Sequence, residues 1–217
     1  MKVVLTDYAY DTLQPFSDVY QAAGVEFIPL QCKSKQEVLQ ATEYADGVMT
    51  HYAHIDREVI DNLKNCKIII RSAVGVENID VEAANQRGIS VANVPDYCIE
   101  EVSDYVILLL LASAKKFCVL ERMVQRGEWD YAITKPSDTI HGKTLGLVGC
   151  GNIARAVARK AKVFDMDIIG CDPGVTEQEV AKYGIHLLPQ EKVLQDSDFL
   201  SLHAPLNRYT KHMNVSY

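Results

Sequence analysis

The segment 145–154 constrains the fold more than any other part of the sequence. Its first half, Leu145-Gly146-Leu147-Val148, is apolar and typical of a buried strand, and it leads without a break into Gly149-Cys150-Gly151-Asn152-Ile153-Ala154. A helical pattern follows over residues 152–164. A strand, a Gly-x-Gly-x-x-Ala turn and a helix in this order are typical of the first β-α unit of a dinucleotide-binding domain, in which a parallel sheet has helices on both faces.

The small residues of this turn each have a physical role in binding a pyrophosphate. Gly149 permits the tight turn, Gly151 lets the backbone approach the ligand without a side chain in between, and Ala154 allows close packing of helix and strand. The free N–H groups of Asn152 and Ile153, together with the helix dipole, form an anion site. We therefore predict that Gly149, Gly151, Asn152 and Ile153 bind a nucleotide cofactor. A tight turn without a ligand is the alternative.

An acidic residue stands where such a cofactor needs one. Asp172 follows the next predicted strand, 167–171, and lies 172 − 149 = 23 residues after the first glycine. A carboxylate there can accept hydrogen bonds from the hydroxyls of the adenosine ribose. It would repel a 2′-phosphate, and Pro173-Gly174 supplies no arginine to offset that repulsion. The predicted cofactor is therefore NAD and not NADP.

Short apolar runs alternate with helical patterns along the rest of the chain. The predicted strands are residues 3–6, 25–28, 47–50, 67–71 and 89–93, and then 145–148, 167–171, 185–188 and 199–203. Gly24 ends the helix that follows the first strand, and Asp56 and Asp80 cap two others. The alternation predicts the α/β class with parallel sheets.

A domain boundary is predicted at Val94-Pro95-Asp96, because proline ends the strand there and redirects the chain. We place the first domain at residues 1–97 and the second at residues 98–217.

A single long helix is predicted to open the second domain, from Glu100 to Arg126. Its first turn is acidic and its last turn is basic, which the helix dipole favours. Residues 106–111 within it are apolar on all sides, so it is expected to pack against this chain or a partner subunit. Trp129 and Tyr131 are expected to pack beneath the loop that follows.

Composition argues against several classes of function. The chain has 22 basic and 29 acidic side chains, a net charge of −7, which does not suit a nucleic-acid-binding surface. The longest apolar run, 106–112, is far shorter than the roughly 20 residues that span a bilayer, and the N-terminus does not resemble a signal peptide. Six cysteines without a C-x-x-C pair favour buried reduced thiols over disulfides or zinc ligands, and predict a cytoplasmic protein without a metal.

Two further segments, taken with the glycine turn and Asp172, resemble one known family. The first, similar to the motif R-x-G-V-G-x-D-N-I-D, is Arg71-Ser72-Ala73-Val74-Gly75-Val76-Glu77-Asn78-Ile79-Asp80. The second is Ser201-Leu202-His203-Ala204-Pro205-Leu206. On these motifs the chain resembles the D-2-hydroxyacid dehydrogenase family, which includes phosphoglycerate, glycerate and formate dehydrogenases and the C-terminal binding protein co-repressors.

The resemblance implies a flavodoxin-like first domain, an NAD-binding Rossmann second domain and a substrate held in the cleft between them. The implied reaction is hydride transfer between NAD(H) and a 2-hydroxy or 2-keto acid. The backbone amides of Val74 and Gly75 would receive the substrate carboxylate. His203 and Pro205 would lie near the nicotinamide ribose, and the hydroxyl of Thr210 would reach the cofactor.

The catalytic groups that the resemblance implies are not among these residues. The family's chemistry uses an Arg to hold the keto acid, a His to exchange the hydroxyl proton and an acid beside that His, all beyond the position where the sequence stops. Arg208, Lys211 and His212 are interpreted as solvated loop charges, so no catalytic residue is assigned. After Met213 the sequence departs from the family. We expect a truncated chain, whose second domain ends after its fourth strand and whose first domain lacks its C-terminal return segment.

Such a chain is expected to bind the cofactor weakly, with little or no turnover. The alternative is a binding module of the co-repressor type, or a remnant without catalysis, in which the helix from Glu100 to Arg126 would form the dimer surface. A homodimer through this helix is the predicted assembly.

Overall fold

Two units make up the chain, Met1–Tyr97 and Cys98–Tyr217, each with one sheet whose strands are all parallel. The computed structural model describes residues 1–135, 139–207, 210, 211 and 213 of these units. The predicted α/β class is confirmed. Within the described ranges, no helix combines the length and the apolar character needed to cross a bilayer.

The first unit alternates strands and helices. Its elements are β1 (Lys2–Leu5), α1 (Gln14–Ala22), β2 (Glu26–Pro29), α2 (Lys35–Thr42), β3 (Gly47–Thr50), α3 (Arg57–Asn62), β4 (Ile68–Arg71), α4 (Val81–Gln86) and β5 (Ser90–Ala92). The strands lie in the order β2-β1-β3-β4-β5. This is the 2-1-3-4-5 order of flavodoxin-like sheets.

The core of the first unit is centred on its middle strands, in which consecutive residues are buried. Val4 is the register partner of Val48, and Val48 of Ile69, and all three are almost fully buried. Helix residues complete the buried cluster, among them Val38, Val59, Ile60, Ala83 and Ala84. Burial of each large aliphatic side chain contributes about 1.5–3 kcal/mol.

Three helices of this unit begin at a residue whose side chain caps them. The side chains of Ser34, Asp56 and Asp80 each accept the N–H three residues later, which the first helical turn would otherwise leave without an acceptor. Helix α2 has no clear apolar pattern in the sequence and is not predicted from it, because Val38 and Thr42 are its only buried side chains.

The second unit carries a four-stranded sheet. Its elements are α5 (Ile99–Ala114), α6 (Phe117–Gln125), a 3-10 turn (Tyr131–Thr134), β6 (Thr144–Val148), α7 (Asn152–Ala161), a second 3-10 turn (Lys162–Phe164), β7 (Asp167–Cys171), α8 (Glu177–Ala181), β8 (Ile185–Leu187), α9 (Gln190–Asp196) and β9 (Phe199–Leu202). The strand order is β8-β7-β6-β9. It corresponds to strands 3-2-1-4 of a doubly wound sheet, with β6 in the central position.

The prediction of one helix from Glu100 to Arg126 is wrong. The helix ends at Ala114, and a new helix, α6, begins at Phe117. Between them Lys116 has a φ of 51°, a left-handed conformation that interrupts the helical hydrogen bonds. The break lets α5 bury Leu110 while α6 turns Met123 inward.

Helix α5 is tied to α7 by polar contacts, most of them made by Lys160. The Lys160 ammonium donates to Ser103 Oγ at 2.7 Å and to the Glu100 carbonyl at 3.1 Å, and it pairs with the Asp104 carboxylate. The first turn of α5 is therefore tied to the sheet that α7 covers.

Two predictions about single side chains are also corrected. Cys150 is buried and four cysteines are half-buried, but Cys118 is exposed, because it lies on the outward side of α6. Trp129 is 88% exposed and does not pack beneath a loop, since α6 ends before it and none of the described elements covers it. The side chain of Tyr131 lies outside the described part of the chain. Among the described residues, no cluster of three or more His, Cys, Asp or Glu could hold a metal ion.

Candidate functional site

Gly149 makes the turn at the end of β6 possible. Its φ of 90° is a conformation that residues with a side chain rarely adopt. Its N–H donates to the Cys171 carbonyl at 2.9 Å, and a Cβ here would lie 2.8 Å from both the His203 carbonyl carbon and the Ala204 nitrogen. Both the backbone angle and the close approach of the chain after β9 therefore require glycine.

Gly151 is constrained in a different way, since nothing in the protein fills the space beside it. Its φ is −73°, and no atom lies within 4 Å of the position that a Cβ would take. Helix α7 begins at Asn152, and in the described part of the chain the N–H groups of Gly151, Asn152 and Ile153 have no acceptor. These N–H groups and the helix dipole form an arrangement that can bind a pyrophosphate.

Asp172 lies beside this turn and is held there by two backbone hydrogen bonds. Its Oδ2 accepts from the Cys150 N–H at 2.8 Å, and its Oδ1 accepts from the Gly174 N–H at 2.8 Å. Each oxygen keeps a lone pair for a further donor. The acid that the sequence assigns to the ribose is thus brought to the glycine turn with both oxygens oriented.

The thiol of Cys150, between the two glycines, is chemically inert. Burial is the main cause that raises its pKa, to about 12, and the negative charge of the neighbouring Asp172 adds to the effect. The thiol therefore stays protonated at neutral pH, and it is not a nucleophile.

His203 lies at the carboxyl end of β9, next to the glycine turn. Its N–H donates to the Val148 carbonyl at 2.7 Å, and its half-buried ring has a buried Nε2 without a hydrogen-bond partner in the described ranges. Burial lowers the pKa of this ring, which is neutral at pH 7.

Pro205 and Thr210 close a loop with each other. The Thr210 hydroxyl donates to the Pro205 carbonyl and accepts from the Asn207 N–H at 2.9 Å. This hydroxyl is therefore engaged within its own loop. Arg208, His212 and the final residues 214–217 lie outside the described residues, and Lys211 is exposed.

The segment after β4 in the first unit contains the predicted carboxylate-binding amides. Asn93 Nδ2 donates to the Val74 carbonyl at 2.6 Å, and the Val94 N–H donates to the Ala73 carbonyl at 3.1 Å. Within the described residues, the N–H groups of Val74 and Gly75 have no acceptor. Ala73 stands where the motif R-x-G-V-G-x-D-N-I-D has its first glycine. Its φ is not positive, so the loop conformation does not require glycine at this position.

An ion pair that the sequence analysis does not predict lies against this loop. Arg71 Nη1 is 2.7 Å from Glu77 Oε2, and Arg71 Nε donates to the His51 carbonyl at 3.3 Å. The Arg71 side chain is 10% exposed and that of Glu77 is 45% exposed. The Arg71 guanidinium beside it holds the pKa of the Glu77 carboxyl below its usual value.

Asp7 is a second residue whose role has no signal in the sequence. Its buried carboxylate accepts from the backbone N–H groups of His51, Tyr52 and Ala53, at 3.2, 2.6 and 3.1 Å, and from the hydroxyls of two neighbouring threonines. Burial alone raises the pKa of Asp7, but the hydrogen bonds outweigh it, and the pKa lies below its usual value. Asp7 therefore fixes the chain after β3, including the carbonyl that Arg71 contacts.

Comparison with known proteins adds to this geometry. Residues 107–215 match the NAD-binding domain model of the D-isomer-specific 2-hydroxyacid dehydrogenases. A D-3-phosphoglycerate dehydrogenase of Methanocaldococcus jannaschii is 33% identical over 219 residues, which cover 98% of this chain and 40% of that protein. A glyoxylate reductase of Korarchaeum cryptofilum is 37% identical over 184 residues, 83% of this chain and 55% of that protein.

A solved structure agrees with these relatives. The glyoxylate reductase from Paecilomyes thermophila superposes with a TM-score of 0.89 at 25% identity, over 98% of this chain and 67% of that one. The chain spans about half the length of the two relatives identified by sequence, 40% of the D-3-phosphoglycerate dehydrogenase and 55% of the Korarchaeum cryptofilum glyoxylate reductase. The family-model match confirms NAD as the predicted cofactor. By this match and these identities, the chain belongs to the D-isomer-specific 2-hydroxyacid dehydrogenase family.

Proposed function

We propose that the second unit binds NAD through the turn 149–153 and Asp172, and that the protein takes part in hydride transfer between NAD(H) and a small 2-hydroxy or 2-keto acid. The observation that carries this proposal is the Asp172 carboxylate, which is fixed beside backbone N–H groups without a partner in the described residues. NAD supplies or accepts the hydride when it is bound. The residues of this chain bind and orient it.

The adenosine end of the site favours NAD over NADP. The two Asp172 oxygens can each accept a ribose hydroxyl, whereas a 2′-phosphate would meet their negative charge. Arg155, a cation on α7, donates to the Cys150 carbonyl at 2.9 Å and lies over the Tyr183 ring, 5.7 Å from its centroid. Because these contacts engage its guanidinium, we do not expect Arg155 to bind a 2′-phosphate.

The residues after β9 would serve the other end of the cofactor. His203, neutral at pH 7, and Pro205 are proposed to lie near the nicotinamide ribose. Because the Thr210 hydroxyl is engaged with Pro205 and Asn207, we propose that Thr210 acts by holding the loop that carries Pro205.

In the first unit, the N–H groups of Val74 and Gly75 are proposed to receive the substrate carboxylate. The Ala73 carbonyl accepts from Val94 and the Val74 carbonyl accepts from Asn93, so residues 93 and 94 hold this turn by its carbonyls. The N–H groups of Val74 and Gly75 are left as donors for a ligand. Unpaired backbone N–H groups in such a turn bind anions.

We propose that a polypeptide of these 217 residues, by itself, binds the cofactor with little turnover. The resemblance assigns proton transfer and keto-acid binding to an Arg, a His and an acid that are not among them. Co-repressor-like binding without catalysis is the second candidate, favoured by the exposed apolar side chains of α5 and α6. The cytoplasmic location stays a prediction.

The test of nucleotide binding is a fluorescence titration of NADH and NADPH against the wild-type chain and Asp172→Asn. Asparagine keeps a side-chain oxygen but loses the charge, so we expect the NADH affinity to fall about tenfold, or about 1.4 kcal/mol, and the preference over NADPH to shrink. Asp167→Asn, at the exposed amino end of the same strand, removes the same charge and should leave both affinities unchanged. Equal NADH binding by wild type and Asp172→Asn would contradict the proposal.

We also propose a homodimer, whose interface is formed by α5 and α6 in place of the single predicted helix. The outward side of α5 exposes Tyr105, Leu108 and Leu109, each more than half exposed, and α6 adds Phe117. Residues three and four positions apart share one face of a helix, and exposed apolar side chains grouped in this way are typical of an interface. Light scattering should give about twice the chain mass of 24.2 kDa for the wild type and the single-chain mass for Leu108→Lys. Val19→Lys, at an exposed valine of α1, should leave the dimer mass unchanged, and a monomeric wild type would refute the dimer.

A further inference from the structure

The carboxylate-binding loop of the first unit already contains an anion of its own. A Cβ on Gly75 would overlap the Glu77 carboxylate and would lie 3.3 Å from Arg71 Nη1. The Glu77 carboxylate therefore lies directly against Gly75, in contact with the guanidinium. It has the charge and shape of the group that a 2-keto acid would bring to the same turn.

We propose that Glu77 is a specificity-determining residue, whose carboxylate occupies the place beside Gly75 and Arg71 that the substrate carboxylate takes and turns away when the substrate binds. This inference rests on the proposed role of the Val74 and Gly75 amides. The ligand class is a small carboxylate with an oxygen on the adjacent carbon.

The two partners of this ion pair differ in their freedom to move. Arg71 is held by the His51 carbonyl, and its side chain is only 10% exposed. The Glu77 side chain is 45% exposed and can rotate into solvent at little cost. The arginine therefore stays in place, and the glutamate is the group that is exchanged.

Exchange of one carboxylate for another explains how the loop would select its ligand. A ligand with a carboxylate can replace Glu77 as the partner of Arg71, whereas a neutral ligand would leave the buried guanidinium without a counter-charge. Glu77 also lowers the affinity for every anion. Its carboxylate either has to be displaced by the ligand or stays and repels the ligand at close range.

The experiment measures binding of oxamate, an unreactive carboxylate with an adjacent amide carbonyl, to the full chain. Amide chemical shifts of Val74 and Gly75 in ¹⁵N-labelled protein report the dissociation constant for the wild type, Glu77→Gln and Glu77→Asp. Glu82→Gln, which removes the same charge at an exposed position in the first turn of α4, is the matched control. Urea unfolding verifies that each variant is folded at the temperature of the titration.

Glu77→Gln should bind oxamate about three- to tenfold more tightly than the wild type at low salt, because one negative charge at contact distance is removed. The gain should shrink at about 1 M salt, where the Debye length is about 3 Å. Glu77→Asp and Glu82→Gln should stay within about twofold of the wild type.

Unchanged or weaker oxamate binding by Glu77→Gln would overturn the inference, as would the absence of a saturable shift at Val74 and Gly75 in every protein. Titration of NADH into the same samples separates this failure from that of the proposed function. If NADH still binds in a manner that depends on Asp172, nucleotide binding stands and only the role of Glu77 falls.

Discussion

Gly149→Ala should lower the free energy of unfolding by about 2–4 kcal/mol, whereas Gly151→Val should leave folding nearly intact and lower the NADH affinity at least about a hundredfold. The two glycines lie two residues apart in one turn, but glycine is required at each for a different physical reason. At Gly149 a side chain would have a left-handed backbone angle and would meet the backbone of residues 203 and 204 at 2.8 Å. Neither neighbour can move without shifting the end of β9.

At Gly151 the backbone angle suits any residue, and the space around the missing Cβ is empty of protein. A valine there would cost at most about 1 kcal/mol as a poor residue at the start of α7. Its branched side chain would stand where the pyrophosphate has to approach, so the loss falls on nucleotide binding.

Urea unfolding and an NADH titration on both variants provide the measurements. Gly24→Ala, at a positive φ with no atom within 4 Å of the added Cβ, is the control for backbone strain alone and should cost about 1–2 kcal/mol. The assignment of the turn is wrong if Gly151→Val binds NADH as the wild type does, or if Gly149→Ala is as stable as the wild type.

Asp7→Asn should lower the free energy of unfolding by about 3 kcal/mol at pH 7. The amide has one oxygen where the carboxylate has two, so the Tyr52 N–H, at 2.6 Å from Oδ2, would face an NH2 group. The remaining bonds also lose their charge assistance. The substitution changes few atoms, and the loss therefore measures the hydrogen bonds and not the packing.

The effect should depend on pH in a defined direction. Because the folded-state pKa of Asp7 lies below the ordinary value of 3.8, its stabilisation is complete above that value and is lost as the pH falls through the lower folded pKa. The stability difference between wild type and Asp7→Asn should therefore be constant near neutral pH and shrink in acid. Asp61→Asn, an exposed aspartate on α3, should show a difference within about 0.5 kcal/mol throughout. A difference that grows in acid would contradict this account.

Local patterns were sufficient to predict the sheets and the glycine turn between β6 and α7. Gly149, Ala154 and Asp172 lie within 172 − 149 = 23 positions of each other, in one strand–turn–helix–strand segment. The parallel alternation likewise follows from neighbouring segments. The break between α5 and α6 has no such signal, because Lys115 and Lys116 are ordinary helix formers and only the left-handed angle at Lys116 marks the end.

The residues that the sequence analysis misses act over long separations. Asp7 accepts from residues 44 to 46 positions away, and Arg71 donates to a carbonyl 20 positions away. No spacing rule connects such partners, because the parallel sheet brings strand ends together regardless of their distance along the chain. Arg71 and Glu77 are closer in sequence, but they meet only because the loop folds back on itself, which the amino-acid sequence alone does not indicate.

With Asp172 in its proposed role at the ribose, engineering a change of coenzyme faces a constraint at position 172. Since the Asp172 side chain also accepts the Cys150 N–H, a direct exchange for arginine would leave that N–H without an acceptor in the middle of the turn. A library at this position should retain only short acceptor residues such as Asn and Ser. The cation that a phosphorylated ribose requires then has to be introduced at one of the two exposed neighbours, Pro173 or Gly174.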